Sequence, residues 1–128
     1  MQHGHESLAA TRHVLDRLGA KWSVRAIAAL VRGPLGFVEL RRELGGVSHK
    51  VLSQVLRSLE RDGYLFRRIR TRAPLRVEYR LTPLGLAFVA LLARLEAWAE
   101  AHMGEVMAHR GEYDASHPLA RDEPESTR

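Results

Sequence analysis

The chain has 128 residues, enough for one hydrophobic core and too few for two separate ones. It has no cysteine, which excludes disulfides, thiolate metal sites and thiol redox chemistry. Its net charge is +5: residues 36–80 hold eleven Lys/Arg against five Asp/Glu, whereas residues 81–128 hold four against eight. A basic middle beside an acidic C-terminal part points to a polyanion-binding surface in the middle. The longest nearly apolar stretch, Leu84 to Ala93, is far too short to span a bilayer. The opening residues, Met1-Gln-His-Gly-His-Glu6, lack the basic-then-apolar pattern of a secretory signal. A cytoplasmic, nucleoid-associated protein without a membrane partner is expected.

Ser7 can cap a first helix that runs to about Leu18, with Gly19 as its stop. Leu8, Val14, Leu15 and Leu18 give that helix an apolar stripe. Ser23 can cap a second helix that ends at Gly33-Pro34. Phe37, Leu40 and Leu44 repeat at helical spacing and make Gly36–Leu44 a short third helix, followed by a Gly45-Gly46 turn. Ser48 opens a fourth helix to about Asp62, ended by Gly63. The period then changes to two: Val77, Tyr79 and Leu81 alternate with Arg76, Glu78 and Arg80, which predicts a half-buried strand. Tyr64–Arg70 is its expected hairpin partner, across a Thr71-Arg-Ala-Pro74 loop. Thr82-Pro83 opens a last helix, with Leu84, Phe88, Leu91, Leu95, Trp98 and His102 at steps of four and three. The polar stretch Gly111–Arg128 reads as a disordered tail. The expected domain map is therefore a flexible 1–6, a folded 7–110 and a tail at 111–128.

A short helix, a glycine turn, a longer helix and a basic hairpin make a winged helix-turn-helix. The fold class expected is α+β, mainly α, with a two-stranded wing and dimerisation helices at both ends. At about 100° per residue, Val51, Leu52, Val55, Leu56 and Leu59 of the fourth helix fall within an arc of roughly 140°. Lys50, Gln54, Arg57 and Arg61 lie opposite. A recognition helix needs this division, with one face anchored and the other lined by long donors for phosphates and base edges. Its first turn, Ser48-His49-Lys50, also offers free N–H groups to a phosphate. The hairpin concentrates Arg67, Arg68, Arg70, Arg72, Arg76 and Arg80 within fourteen residues, with Glu78 as the sole acid between them. Arg72, near the tip, is the best contact candidate. Arg76, Glu78 and Arg80 share one strand face, where a cross-strand salt pair is the expected role. The expected DNA-contacting set is Ser48, His49, Lys50, Ser53, Gln54, Arg57 and Arg72.

These residues resemble the HxlR-type family of winged-helix regulators. The resemblance is carried by Gly19-Ala-Lys-Trp22, Gly33-Pro34, Phe37, Glu39-Leu40, Val47-Ser48-His-Lys50, Leu52, Leu56-Arg57, Leu59-Glu60, Asp62-Gly63, Pro74, Val77-Glu78-Tyr79, Leu81-Thr82 and Gly85, over about residues 8–100. It implies a dimeric regulator, often a repressor, that pairs through its first and last helices. The expected interface is Leu8, Leu15, Leu18, Leu84, Phe88, Leu91, Leu95 and Trp98. Two departures stand out. Members commonly carry an N-terminal cysteine, used by some to sense electrophiles, and this chain has none. Gly36 stands where an arginine usually precedes the phenylalanine.

Other residues invite other readings. Seven histidines include the pairs His3/His5 and His102/His109, yet no His-x-x-x-His or carboxylate-rich ligand set accompanies them, so no metal or other cofactor is expected. Trp22 and Trp98 could line an effector pocket, but tryptophans at helical spacing more often pack. No nucleophile motif surrounds any serine, so no enzyme is expected. The leading reading is sequence-specific DNA binding with transcriptional control, as a homodimer on an inverted-repeat operator. A protein–protein adaptor without DNA activity is the alternative, and it would have no need of a basic wing. A ligand-responsive sensor would be an addition to the first reading, with an unidentified small-molecule effector as its partner.

Overall fold

The computed structural model describes residues 2–118. Five helices and three short strands follow one another as α1 (Gln2–Gly19), α2 (Lys21–Ala29), β1 (Leu35–Gly36), α3 (Phe37–Leu44), α4 (His49–Arg61), β2 (Leu65–Arg70), β3 (Arg76–Leu81) and α5 (Pro83–Ser116). The chain divides into two compact units, Met1–Leu92 and Ala93–Arg128, so α5 contributes to both.

In the first unit a single core gathers Ala26, Ile27 and Leu30 of α2 and its cap, Leu40 and Leu44 of α3, and Leu52, Leu56 and Leu59 of α4. Tyr64, Leu65, Tyr79, Leu81 and Phe88 complete it from the sheet and from α5. The α4 stripe reads directly from its period: the apolar residues at steps of four and three all point to this core. Ser48 caps α4, its Oγ accepting the Val51 N–H at 3.1 Å. At the other end Tyr64 N–H donates to the Leu59 carbonyl at 2.9 Å and Gly63 N–H to that of Glu60 at 3.0 Å. This Schellman closure needs the positive φ of +84° that Gly63 supplies.

The hairpin is antiparallel and in the expected register, from Leu65↔Leu81 to Arg70↔Arg76. The sheet has a third strand that the sequence does not announce. β1 pairs with β3 through Leu35↔Tyr79 and Gly36↔Glu78, giving the order β1-β3-β2. The two-stranded wing is thus the outer part of a three-stranded sheet, and α3 starts one residue later than expected, at Phe37.

Three further boundaries differ from the sequence reading. α1 begins at Gln2 rather than at a Ser7 cap, so the segment 1–6 expected to be flexible joins the helix from Gln2 onward. α2 starts at Lys21 with Ala20 as its N-cap, and Ser23 is buried inside it instead of capping it. α5 continues to Ser116, six residues past the end expected at Arg110. Ser116 Oγ donates to the Glu112 and Tyr113 carbonyls at 3.0 and 3.2 Å, and Tyr113 stacks on His117, so this stretch closes on itself as helix. The rest of the expected tail, 119–128, lies outside the described residues.

One polar side chain crosses several elements. Arg17, near the end of α1, donates through Nη1 to Ser23 Oγ of α2 at 3.2 Å and through Nη2 to Ser58 Oγ of α4 at 3.0 Å. The same Nη2 pairs with the Asp62 carboxylate at the C-cap of α4. Its guanidinium lies 5.8 Å from the Tyr64 ring centroid.

Candidate nucleic-acid interface

The turn between α3 and α4 is Gly45-Gly46-Val47-Ser48, with both glycines at positive φ. Val47 is buried, and Arg41 Nε donates to its carbonyl at 3.0 Å, so the turn is held from both sides of the chain. It delivers α4 with its apolar face inward and Lys50, Gln54, Arg57 and Arg61 exposed. None of those four side chains has an ion-pair or hydrogen-bond partner among the described residues. His49 sits against Phe37 of α3, ring centroids 4.6 Å apart. Ser53 is half-buried in a groove that α4 shares with the sheet, beside Arg57 and Tyr79. Ser48 Oγ accepts the capping N–H, and its O–H is still able to donate to a phosphate.

The hairpin arginines separate by face. Arg67 shares its strand face with Leu65 and Ile69, the side turned to the core, and reaches Glu60 of α4 at 3.8 Å. Arg76 points to the other face. It pairs with Glu78 two residues along its own strand and with Glu39 of α3, both at 3.0 Å, so its partners are not the cross-strand ones expected. The Glu39 carboxyl accepts the Gly36 N–H at 2.9 Å. That bond, then Arg76, holds Glu39 below the usual carboxylate range, and Arg76 is raised in turn, first by Glu78 and then by Glu39.

Arg68, Arg70, Arg72 and Arg80 are exposed and have no acidic partner among the described residues. Arg68 and Arg70 stand opposite Glu78 and Arg76 in the ladder, on the outer face, and line one surface depression with Thr71 and Arg72. The sequence reading singles out Arg72 alone. The signal for Arg68 and Arg70 is their two-residue spacing, which assigns them to one face once the register is known.

The expected interface set divides as well. Phe88 is 6% exposed and packs against Tyr64, centroids 5.1 Å apart, so it belongs to the chain's own core and is not free for a second copy. Leu18 and Leu91 pack partly against that core. Leu8, Leu15 and Leu84 are exposed in the first unit, and Leu95 and Trp98 in the second. Trp22 is half-buried against the core with Lys21 Nζ and the Arg25 guanidinium at 4.9 and 5.3 Å from its ring centroid. Trp98 instead stacks on His102 at 4.6 Å. Among the described residues no three His, Asp or Glu converge as a metal-ligand set, and no helix is long and apolar enough to cross a membrane.

Comparison with known proteins places this geometry. Residues 17–107 match the model of the HxlR-like helix-turn-helix family. The uncharacterised helix-turn-helix transcriptional regulator YtfH of Escherichia coli is 43% identical over 102 residues, 80% of this chain and 81% of that protein. The solved ytfH regulator of Salmonella typhimurium is 42% identical with a TM-score of 0.62, over 79% of this chain and 90% of that one. The reduced form of the transcriptional regulator YodB of Bacillus subtilis gives a TM-score of 0.68 at 30% identity, over 71% of this chain and 89% of that one. The winged fold, the helix-turn-helix and the relatives agree: this chain belongs to the HxlR-like helix-turn-helix family of transcriptional regulators.

Proposed function

We propose that the protein is a repressor that binds duplex DNA sequence-specifically as a homodimer, on an inverted-repeat operator, in the cytoplasm at the nucleoid. The observation that carries this reading is the distribution of unpaired charge. Lys50, Arg57 and Arg61 on α4, and Arg68, Arg70 and Arg72 on the hairpin, lack acidic partners among the described residues, whereas Arg67 and Arg76 are tied to carboxylates. Unneutralised cations repel one another, and they persist where a polyanion supplies the missing charge. Lys50, Gln54 and Arg57 are the side chains on α4 with the length to reach base edges; Ser48, His49 and Ser53 flank them. Arg72 and its neighbours on the wing suit phosphates or the minor groove. A protein–protein adaptor would leave that charge without purpose. Repression requires only that the bound protein occupy DNA that polymerase must use. An effector, if one acts, does not signal through a thiol, because the chain has no cysteine.

The test is selection of duplexes from a random library, followed by a footprint on the protein's own upstream region. The expected result is an inverted repeat whose half-site centres lie about 34 Å apart, one per recognition helix. Failure to enrich any duplex over scrambled sequence overturns the reading.

A further inference from the structure

We propose that Arg17 is a positioning residue through which α1 sets the recognition helix α4, so that pairing of two chains through α1 fixes where the two recognition helices meet DNA. This inference rests on the dimeric DNA-binding function proposed above.

The contacts of Arg17 fall on the elements that matter for that placement. Its side chain is 13% exposed, and Nη2 holds both the Asp62 carboxylate and Ser58 Oγ, which lie at the C-cap and in the last turns of α4. Nη1 holds Ser23 Oγ of α2. His13, one turn earlier on α1, brings Nε2 to 3.5 Å from the same Asp62 oxygen. α4 is thereby gripped at its C-terminal end, and its contact residues begin at the other end. A helix of thirteen residues is about 20 Å long, so a tilt of roughly 5° at the gripped end moves the first turn by about 1.7 Å. That displacement is enough to break a hydrogen bond to a base edge.

Two features separate a positioning role from simple packing. The first is chemical. Arg17 Nε is buried without a partner, so the site tolerates an unsatisfied donor in order to place the two terminal nitrogens. An apolar side chain would fill this space without that penalty, and a lysine has no planar fork to divide between three acceptors. The second is angular. At about 100° per residue Leu8 and Leu15 share one side of α1, and Arg17 lies about 180° from Leu8. Leu8 and Leu15 are 70% and 58% exposed. One side of α1 thus exposes Leu8 and Leu15, with Arg12 at its margin, and the opposite side grips α4, which makes α1 a spacer between a second copy of this chain and the recognition helix.

The experiment uses Arg17→Met, which keeps the stem and removes the fork, with Arg17→Lys and Ser58→Ala beside it. Each is measured against three duplexes: the sequence selected by the wild type, the same sequence with its half-sites one base pair further apart, and a scrambled control. Amide exchange across α4 is recorded without DNA. Arg17→Met is expected to bind the scrambled duplex within about two-fold of wild type and the selected duplex at least ten-fold more weakly. It should also lose most of the preference for native spacing, with α4 amides exchanging at least ten-fold faster. Arg17→Lys should behave like Arg17→Met, because charge alone does not restore the fork. A folded Arg17→Met that retains the wild-type spacing preference within two-fold overturns the proposal. If Arg17→Met does not fold, Ser58→Ala carries the same readouts with at least a three-fold loss expected, and an unchanged preference overturns the proposal there. A wild type that selects no duplex overturns the DNA-binding function instead. The exchange data then judge the grip on α4 by themselves, and unchanged exchange in the variants overturns it.

Discussion

Gly85 decides how closely α5 approaches the sheet. A Cβ at this position would lie 2.1 Å from the Tyr64 carbonyl oxygen. That oxygen already accepts the Thr82 N–H at 3.1 Å, and Thr82 Oγ1 both donates to the Gly63 carbonyl at 2.5 Å and accepts the Gly85 N–H at 3.0 Å. The junction between α4, the sheet and α5 therefore has no slack. Gly85→Ala should lower unfolding stability by about 3 kcal/mol, at the upper end for overpacking. Chemical denaturation measures this, and a loss below about 0.5 kcal/mol would show that the junction can open. Glu39 gives a prediction with a pH sign. The Gly36 N–H and then Arg76 hold its carboxyl below the usual value of 4.5. A depressed acid contributes stability that is complete above its unfolded value and disappears as pH falls through the folded one. Glu39→Gln should therefore melt below wild type at neutral pH, and the gap should close well below pH 4.5. A gap that stays constant across that range would mean that the charge on Glu39 does not contribute.

Whole elements are legible where their determinants are local. α4 carries its cap at Ser48, its stripe from Leu52 to Leu59 and its stop at Gly63 within one continuous stretch, and each does what its position implies. β3 likewise follows from the alternation of Val77, Tyr79 and Leu81. The misses come from contacts distant in sequence or from local propensity outweighing composition. β1 is two residues long, has no alternation to read and exists because β3 presents an edge. Ser23 has the chemistry of a cap, yet Arg17 claims its hydroxyl from the neighbouring helix. Phe88 shares the step pattern of the residues expected at an interface, but Tyr64 lies against it. Residues 111–116 have the polar composition of a tail, and a polar stretch can remain helical while its serine and aromatic ring satisfy the last turn. The division of labour between α4 and the wing is testable at this scale. Arg57→Ala should weaken the selected duplex more than scrambled DNA, since a bidentate base contact carries roughly 1–3 kcal/mol of discrimination. Arg72→Ala should weaken both evenly and flatten the salt dependence, by about one unit of slope for each phosphate that a subunit no longer neutralises. Binding across a salt series distinguishes them. An Arg57→Ala protein with wild-type affinities, or an Arg72→Ala protein with an unchanged slope, removes that element from the interface.

At the scale of the molecule the question is what covers its exposed apolar side chains. A single chain leaves Leu8, Leu15 and Leu84 open on the first unit, and the second unit adds Leu95 and Trp98 at 49% and 54% exposure. Full burial of one such side chain contributes roughly 1.5–3 kcal/mol, so a partner must cover several of them to offset the roughly 4–15 kcal/mol that association costs. The two-fold partner proposed above would cover the same residues on both copies at once. In the proposed dimer, two basic α4 helices would face one duplex. Leu95 is the residue to test, because it lies outside the core cluster and its replacement spares the packing of Leu52, Leu56 and Phe88. Wild type should sediment as a dimer at micromolar concentration. Leu95→Asp should sediment as a monomer, melt within a few degrees of wild type and bind the selected inverted repeat no better than a single half-site. A monomeric wild type at that concentration, or a Leu95→Asp protein that remains a dimer, would remove α5 from the interface.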